Sequence, residues 1–81
     1  MTENEIKQRI LVCLNNTGIG ISTFEEDIRI DEIAPDSLTF ITLIIELENA
    51  FEIEIPAELL SGETFETLSN IYEYILNITS V

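Results

Sequence analysis

From Asp36 to Pro56 the chain reads DSLTFITLIIELENAFEIEIP. Because the residue before a proline avoids helical backbone angles, Pro35 separates this stretch from any earlier helix. Asp36 is among the residue types preferred at a helix N-cap. Apolar residues then recur with helical spacing as far as Phe51, and Pro56 closes the short alternating segment that follows. The pattern predicts a strongly apolar helix over residues 38–51.

Two apolar faces can be separated on this helix at about 100° per residue. The larger face is predicted to form a wall of the core and comprises Phe40, Leu43, Ile44, Leu47 and Phe51. An adjoining face, here called the docking stripe, comprises Leu38, Ile41 and Ile45, with Glu48 beside it. An exposed apolar stripe indicates a surface for a partner, although the stripe could instead pack beneath the long loop before the helix.

The remaining sequence predicts two further main helices. Thr2 and Glu5 have capping-box spacing, and apolar residues continue at helical intervals over 3–14, before a stop at Gly18. Thr67 is predicted to cap the last helix, whose inner side comprises Leu68, Ile71, Tyr72, Ile75 and Leu76 and which is expected to fray after residue 77. A short helix or turn is expected within residues 56–66.

The predicted fold class is all-α: a small bundle of three main helices plus one short helix, in a single domain over residues 1–81. A long loop over residues 15–35 joins the first two main helices, and its many isoleucines are expected to pin it to the core. Residues 28–31 alternate as a strand would, which leaves an α+β alternative. That alternative lacks a second good strand for pairing.

The charge is one-sided, with 16 acidic and 3 basic residues and a net charge of −13. Such a surface repels nucleic acid and anionic membranes, because both are bound through lysine and arginine. It favours partners with basic patches, and it would equally serve solubility alone. The acidic N-terminus and the absence of long apolar runs predict a cytoplasmic protein without a membrane span, and a monomer is expected.

Self-sufficient catalysis is not expected. The chain has no histidine, which excludes Ser–His and Cys–His pairs as well as zinc sites of ordinary type. Its one cysteine, Cys13, lies among apolar residues and is predicted to be a small core residue. No glycine-rich phosphate loop is present. Any chemistry would therefore need a borrowed reactive group.

The chain resembles the acyl carrier protein family. The resemblance rests on Asp36-Ser37-Leu38 at a helix start, then Leu47-Glu48 and Phe51, then residues 53–56 (IEIP), and it extends over the whole chain in size, acidity and helix order. It implies that the Ser37 hydroxyl is esterified by 4′-phosphopantetheine, which a phosphopantetheinyl transferase takes from coenzyme A. The arm's thiol would then carry acyl or aminoacyl groups as thioesters.

The resemblance also implies partners that dock along the helix after Ser37. These are acyl- or aminoacyl-loading enzymes and synthases or transferases with basic docking patches. The residues expected to contact them are Asp36, Leu38, Ile41, Ile45 and Glu48. The protein would be a carrier and not an enzyme. No nucleic acid or membrane partner is implied.

Several positions depart from the family pattern. Pro35 stands where a small residue is common, and Thr39, Thr42 and Asn49 replace acidic residues common in fatty-acid carriers. Residues 56–65 are slightly longer than in those carriers. The departures favour a specialised polyketide, nonribosomal peptide or similar pathway. A carrier for primary fatty-acid synthesis and an unmodified acidic adaptor that binds a basic partner are the alternatives.

Overall fold

A computed structural model describes residues 2–60 and 64–79 of the chain. Its helices are α1 (Glu3–Asn16), the one-turn α2 (Ile30–Ile33), α3 (Ser37–Phe51) and α4 (Leu68–Thr79), with a short 3-10 helix at Ala57–Leu59. Within these residues there is no β-strand, and the predicted strand region contributes only an isolated bridge between Arg29 and Thr67. The all-α class is confirmed.

The core lies between the three long helices, with α1 packed against both α3 and α4. The predicted inner face of α1 is confirmed, because Ile6, Ile10, Leu11 and Leu14 are all buried. The core also takes four residues of α3 and four of α4: Leu43, Ile44, Leu47, Phe51, Leu68, Ile71, Tyr72 and Ile75. Leu76, also predicted on the inner side of α4, is only half-buried. Burial of this apolar surface is the main stabilising term for so short a chain.

The N-terminal cap of α1 follows the sequence prediction, but its end does not. The Thr2 hydroxyl accepts a hydrogen bond from the Glu5 N–H at 3.1 Å. The helix runs to Asn16, two residues further than predicted, and the Asn15 side chain donates to the Leu11 carbonyl at 2.8 Å and to the Ile21 carbonyl at 2.9 Å. Gly18 then takes the left-handed conformation, with φ +90°. Asn15 thus completes the helix and ties it to the loop.

The long loop is pinned to the bundle near its middle and towards its far end. Phe24 meets Tyr72 edge to face at 5.8 Å between ring centroids, and the Lys7 Nζ lies over both rings at 5.7 and 5.1 Å. Further along, the Ile30 N–H donates to the Glu66 carbonyl at 2.8 Å, and the Leu68 N–H donates to the Ile28 carbonyl at 3.0 Å. These contacts place the one-turn α2 directly before α3.

The start of α4 is capped from inside the helix. Asn70 Oδ1 accepts hydrogen bonds from the N–H groups of Glu66 and Thr67 at 3.1 and 3.0 Å, and from the Thr67 hydroxyl at 3.2 Å. The helix continues to Thr79, past the predicted fraying point, and the Thr79 hydroxyl donates to the Ile75 carbonyl at 2.7 Å. Of the short helix or turn predicted over residues 56–66, residues 61–63 lie outside the described part of the chain.

No helix in the described part of the chain is both long enough and apolar enough to cross a membrane.

Candidate functional site

Ser37 is the first residue of α3, and its side chain is exposed. Asp36 caps the helix just before it, with one carboxylate oxygen accepting from the Thr39 N–H at 3.1 Å and the other from the Thr39 hydroxyl at 2.7 Å. These two hydrogen bonds, the one from the hydroxyl contributing most, lower the pKa of Asp36 below its usual value. The cap therefore stays ionised near neutral pH and fixes the direction in which Ser37 projects.

A cavity of about 330 Å³ opens beside Ser37, between the end of the long loop, α3 and the segment before α4. Its apolar lining comprises Ile30, Ala34, Pro35, Phe40, Leu60 and Phe65, and its charged lining comprises Arg29, Asp31, Asp36 and Glu66. Phe40, predicted to stand in the core wall, is only half-buried, because this cavity lies on one side of its ring. The site thus pairs an exposed hydroxyl with a mainly apolar recess.

The docking stripe faces solvent and does not pack beneath the loop. The side chains of Leu38, Ile41 and Ile45 are 76%, 42% and 50% exposed. The buried residues of α3 lie on its other apolar face, which belongs to the core. The separation into two apolar faces that periodicity predicted is therefore present in the structure.

Glu48 is bound to its own chain. The helix ends at Phe51, and its C-cap Glu52 is left-handed, with φ 54° and ψ 49°. The Ile53 N–H then donates to the Glu48 carbonyl at 3.1 Å. The Glu48 carboxylate accepts a hydrogen bond from the Ile55 N–H at 2.8 Å. One oxygen of this predicted recognition residue therefore holds the turn after α3.

Cys13 is a buried thiol away from Ser37, as its apolar neighbours predicted. Its Sγ lies 3.6 Å from the Glu46 carbonyl oxygen. Burial, and secondarily the negative charge of Glu46, raise the pKa of Cys13 to about 11. Since the thiolate is the nucleophile, this thiol is not suited to exchange with a thioester at neutral pH.

We expect Cys13 to resist alkylation in the folded protein. At pH 8 a thiol with a pKa near 11 has roughly a hundredfold less thiolate than an ordinary cysteine, and burial obstructs the reagent as well. Iodoacetamide at pH 8 should label the native chain far more slowly than the urea-unfolded chain, and raising the pH towards 11 should speed the native reaction. Equal labelling rates for folded and unfolded protein at pH 8 would contradict the burial of this thiol.

Comparison with known proteins places this geometry in a family. Residues 12–75 match the family model described as the phosphopantetheine attachment site. The acyl carrier proteins of Chlorobium phaeobacteroides and Chlorobium phaeovibrioides are 31% and 32% identical over 78 residues, covering 94% of this chain and 97% of each relative. The chain belongs to the acyl carrier protein family. A third relative, the acyl carrier protein of Clostridium perfringens, is 41% identical over 54 residues, which cover 67% of this chain and 68% of the relative.

Membership in the family defines the general role. Acyl carrier proteins bear a covalently attached 4′-phosphopantetheine and carry acyl groups on it, and they are carriers and not enzymes. They interact with a phosphopantetheinyl transferase and with synthase enzymes. The sequence predicted a site at Ser37 but not the cavity that Arg29, Leu60 and Phe65 line beside it. No periodic pattern marks these residues, because they meet only through the fold.

Proposed function

We propose that Ser37 carries the 4′-phosphopantetheine arm and that this carrier presents thioester-bound acyl or aminoacyl intermediates to partner enzymes. The supporting observation is the placement of an exposed hydroxyl at the first residue of α3, on the rim of the apolar cavity. A phosphodiester needs a hydroxyl that a transferase can reach. The start of a helix also favours a phosphate, through its free N–H groups and its dipole.

The residues around Ser37 fit the group. The arm supplies the terminal thiol to which the cargo is bound. Asp36 holds the first turn of α3 so that the Ser37 hydroxyl projects at the cavity rim. The apolar lining of the cavity, including Phe40 and Phe65, offers a site where an aliphatic cargo avoids water between transfers. Cys13, buried and protonated, does not compete with the arm for the cargo.

The test is intact mass before and after incubation with coenzyme A, magnesium and a phosphopantetheinyl transferase of broad specificity. The wild-type chain should gain one phosphopantetheine mass, and Ser37→Ala should gain none. Ser22→Ala is the matched control, since Ser22 is an exposed serine in the long loop and its variant should gain the same mass as wild type. Proteolytic mapping should find the added mass on the peptide that contains Ser37.

A folded wild-type chain that gains no mass, with a transferase shown to be active on another carrier, would contradict the attachment at Ser37. That result would favour the unmodified adaptor, which binds a basic partner through α3 alone. A gain of mass by Ser37→Ala equal to that of wild type would also contradict the attachment at Ser37, and it would assign the arm to another residue.

Partner enzymes with basic patches are proposed to dock along α3 beside the arm. The docking stripe supplies an exposed apolar surface, and Asp36 and Glu48 place a carboxylate near each end of it. The net charge of −13 would speed the encounter with a basic partner. The same net charge opposes self-association, which supports a monomer. A cytoplasmic location belongs to the same proposal.

A dedicated polyketide, nonribosomal peptide or similar pathway is the proposed setting, with primary fatty-acid synthesis as the alternative. The support is the reduced acidity of the outer side of α3, where Thr42 and Asn49 are exposed in place of acidic residues and Glu46 remains. A malonyl transferase of bacterial fatty-acid synthesis should therefore load this carrier at least about tenfold less efficiently than it loads the carrier of Clostridium perfringens. Replacing both residues by glutamate should recover part of the difference, and equal loading of the two wild-type carriers would favour the alternative.

A further inference from the structure

The chain has three cations, and the structure places only one of them at the cavity beside Ser37. Lys7 is held over the rings of Phe24 and Tyr72. The guanidinium of Arg9 donates to the Ala50 carbonyl at 3.1 Å, on the side where α1 meets α3. Arg29 lines the same cavity as Ser37.

Arg29 is paired with Asp31, and it can exchange this partner for another anion. Its guanidinium makes a two-pronged contact with Asp31, Nε to Oδ1 at 3.1 Å and Nη2 to Oδ2 at 3.0 Å. The two side chains are 51% and 66% exposed, and an exposed ion pair contributes little to stability. Glu66 and Glu32 also act on the guanidinium electrostatically. The planar fork that fits a carboxylate fits a phosphate equally well.

A phosphodiester on Ser37 would be stabilised by such a cation. The N-terminus of α3 could balance its charge in part, but Asp36 already occupies the Thr39 N–H there with an ionised carboxylate. A second negative charge one residue away is repelled by the first, in a chain whose net charge is already −13. Lys7 and Arg9 are engaged elsewhere, so Arg29 is the remaining source of positive charge within the same cavity.

We propose that Arg29 binds the phosphodiester of the arm, exchanging Asp31 for the phosphate when the carrier is loaded. This inference rests on the proposed attachment at Ser37 and adds to it a residue that positions the arm. Paired with Arg29, the phosphodiester is held at the cavity rim, and the arm starts beside the apolar lining instead of pointing freely into solvent. Release of the arm to a partner enzyme then includes breaking this pair.

The experiment compares the unloaded and loaded forms of the ¹⁵N-labelled chain, after intact mass has shown one arm on Ser37. The Nε–Hε NMR signal of Arg29 should move on loading at least about five times as far as that of Arg9, the matched arginine outside the cavity. The ³¹P line of the loaded chain should narrow in Arg29→Gln, because the phosphodiester becomes more mobile, and Arg29→Lys should recover part of the wild-type width. Asp31→Asn removes the competing carboxylate and should broaden the line further.

The outcomes separate this inference from the proposal on which it rests. If no mass is added to the wild-type chain, the attachment at Ser37 itself is wrong. If one arm is added to Ser37 but the Arg29 signal moves no further than that of Arg9, Arg29 does not bind the phosphodiester, and the carrier role stands. A ³¹P line of the same width in wild type, Arg29→Gln and Asp31→Asn would overturn the inference in the same way.

Discussion

Truncating Leu47 to alanine should lower the free energy of unfolding by about 2–5 kcal/mol, the range for a leucine that leaves a cavity in a packed core. Leu47 is fully buried on the inner face of α3, where α1 packs against that helix. For a domain of this size, each kcal/mol corresponds to roughly 4–8 °C in the melting temperature. The variant should therefore melt more than about 8 °C below wild type, and urea unfolding followed by circular dichroism measures the loss directly.

Ile45→Ala is the matched control for this prediction. Ile45 lies two residues away on the same helix, but its side chain is 50% exposed and belongs to the docking stripe. Substitutions of such exposed residues usually change stability by about 0.5 kcal/mol or less, so this variant should stay close to wild type. If Leu47→Ala and Ile45→Ala cost the same, the division of α3 into a core face and a docking stripe is wrong.

That division could be predicted because it depends on spacing along one helix. The apolar residues of the buried face recur at helical intervals: Leu43, Ile44, Leu47 and Phe51. This face is therefore the one that is buried, whichever element packs against it. The start of α3 could also be predicted, since Pro35 and Asp36 act on the backbone next to them. The helix class and the position of Ser37 followed from these features alone.

The features that could not be predicted either depend on contacts between segments distant in sequence or have too weak a local signal. The cavity forms because the Ile30 N–H bonds to the Glu66 carbonyl, which brings the end of the long loop to the segment before α4. The one-turn α2 has too few residues for a helical period to appear. The left-handed Glu52 stands where glycine is the usual choice, and so gave no stop signal of its own.

Glu48 was predicted to have one role, partner recognition, and the structure gives it a second role in the turn after α3. Its position beside the docking stripe suggested a charge offered to a partner. In the fold, one carboxylate oxygen accepts the Ile55 N–H at 2.8 Å and so fixes the turn that follows α3. Glu48→Gln separates the two roles, because an amide oxygen can still accept this hydrogen bond while the charge is lost.

Alanine substitution of Ile41 and Ile45 should weaken docking without unfolding the carrier. Their side chains are 42% and 50% exposed, so a partner that covers them gains apolar burial that the free protein does not have. If these side chains are hot spots at the centre of the interface, truncation of one costs more than about 1 kcal/mol, which is roughly a five- to tenfold loss of affinity. We expect kcat/KM of the phosphopantetheinyl transferase to fall by about that factor for each variant, and further for the double variant.

Val12→Ala supplies the control for that measurement. Val12 is a β-branched side chain on α1, 58% exposed and outside the docking stripe, and its truncation removes comparable apolar surface without changing a residue of α3. Transferase kcat/KM should be unchanged for Val12→Ala, while melting temperatures stay near wild type for all these variants. Equal losses from Val12 and from the docking stripe would show that the transferase does not select the face of α3. If Glu48→Gln lowers transferase kcat/KM at unchanged stability, the charge of Glu48 contributes to docking while its side-chain oxygen holds the turn.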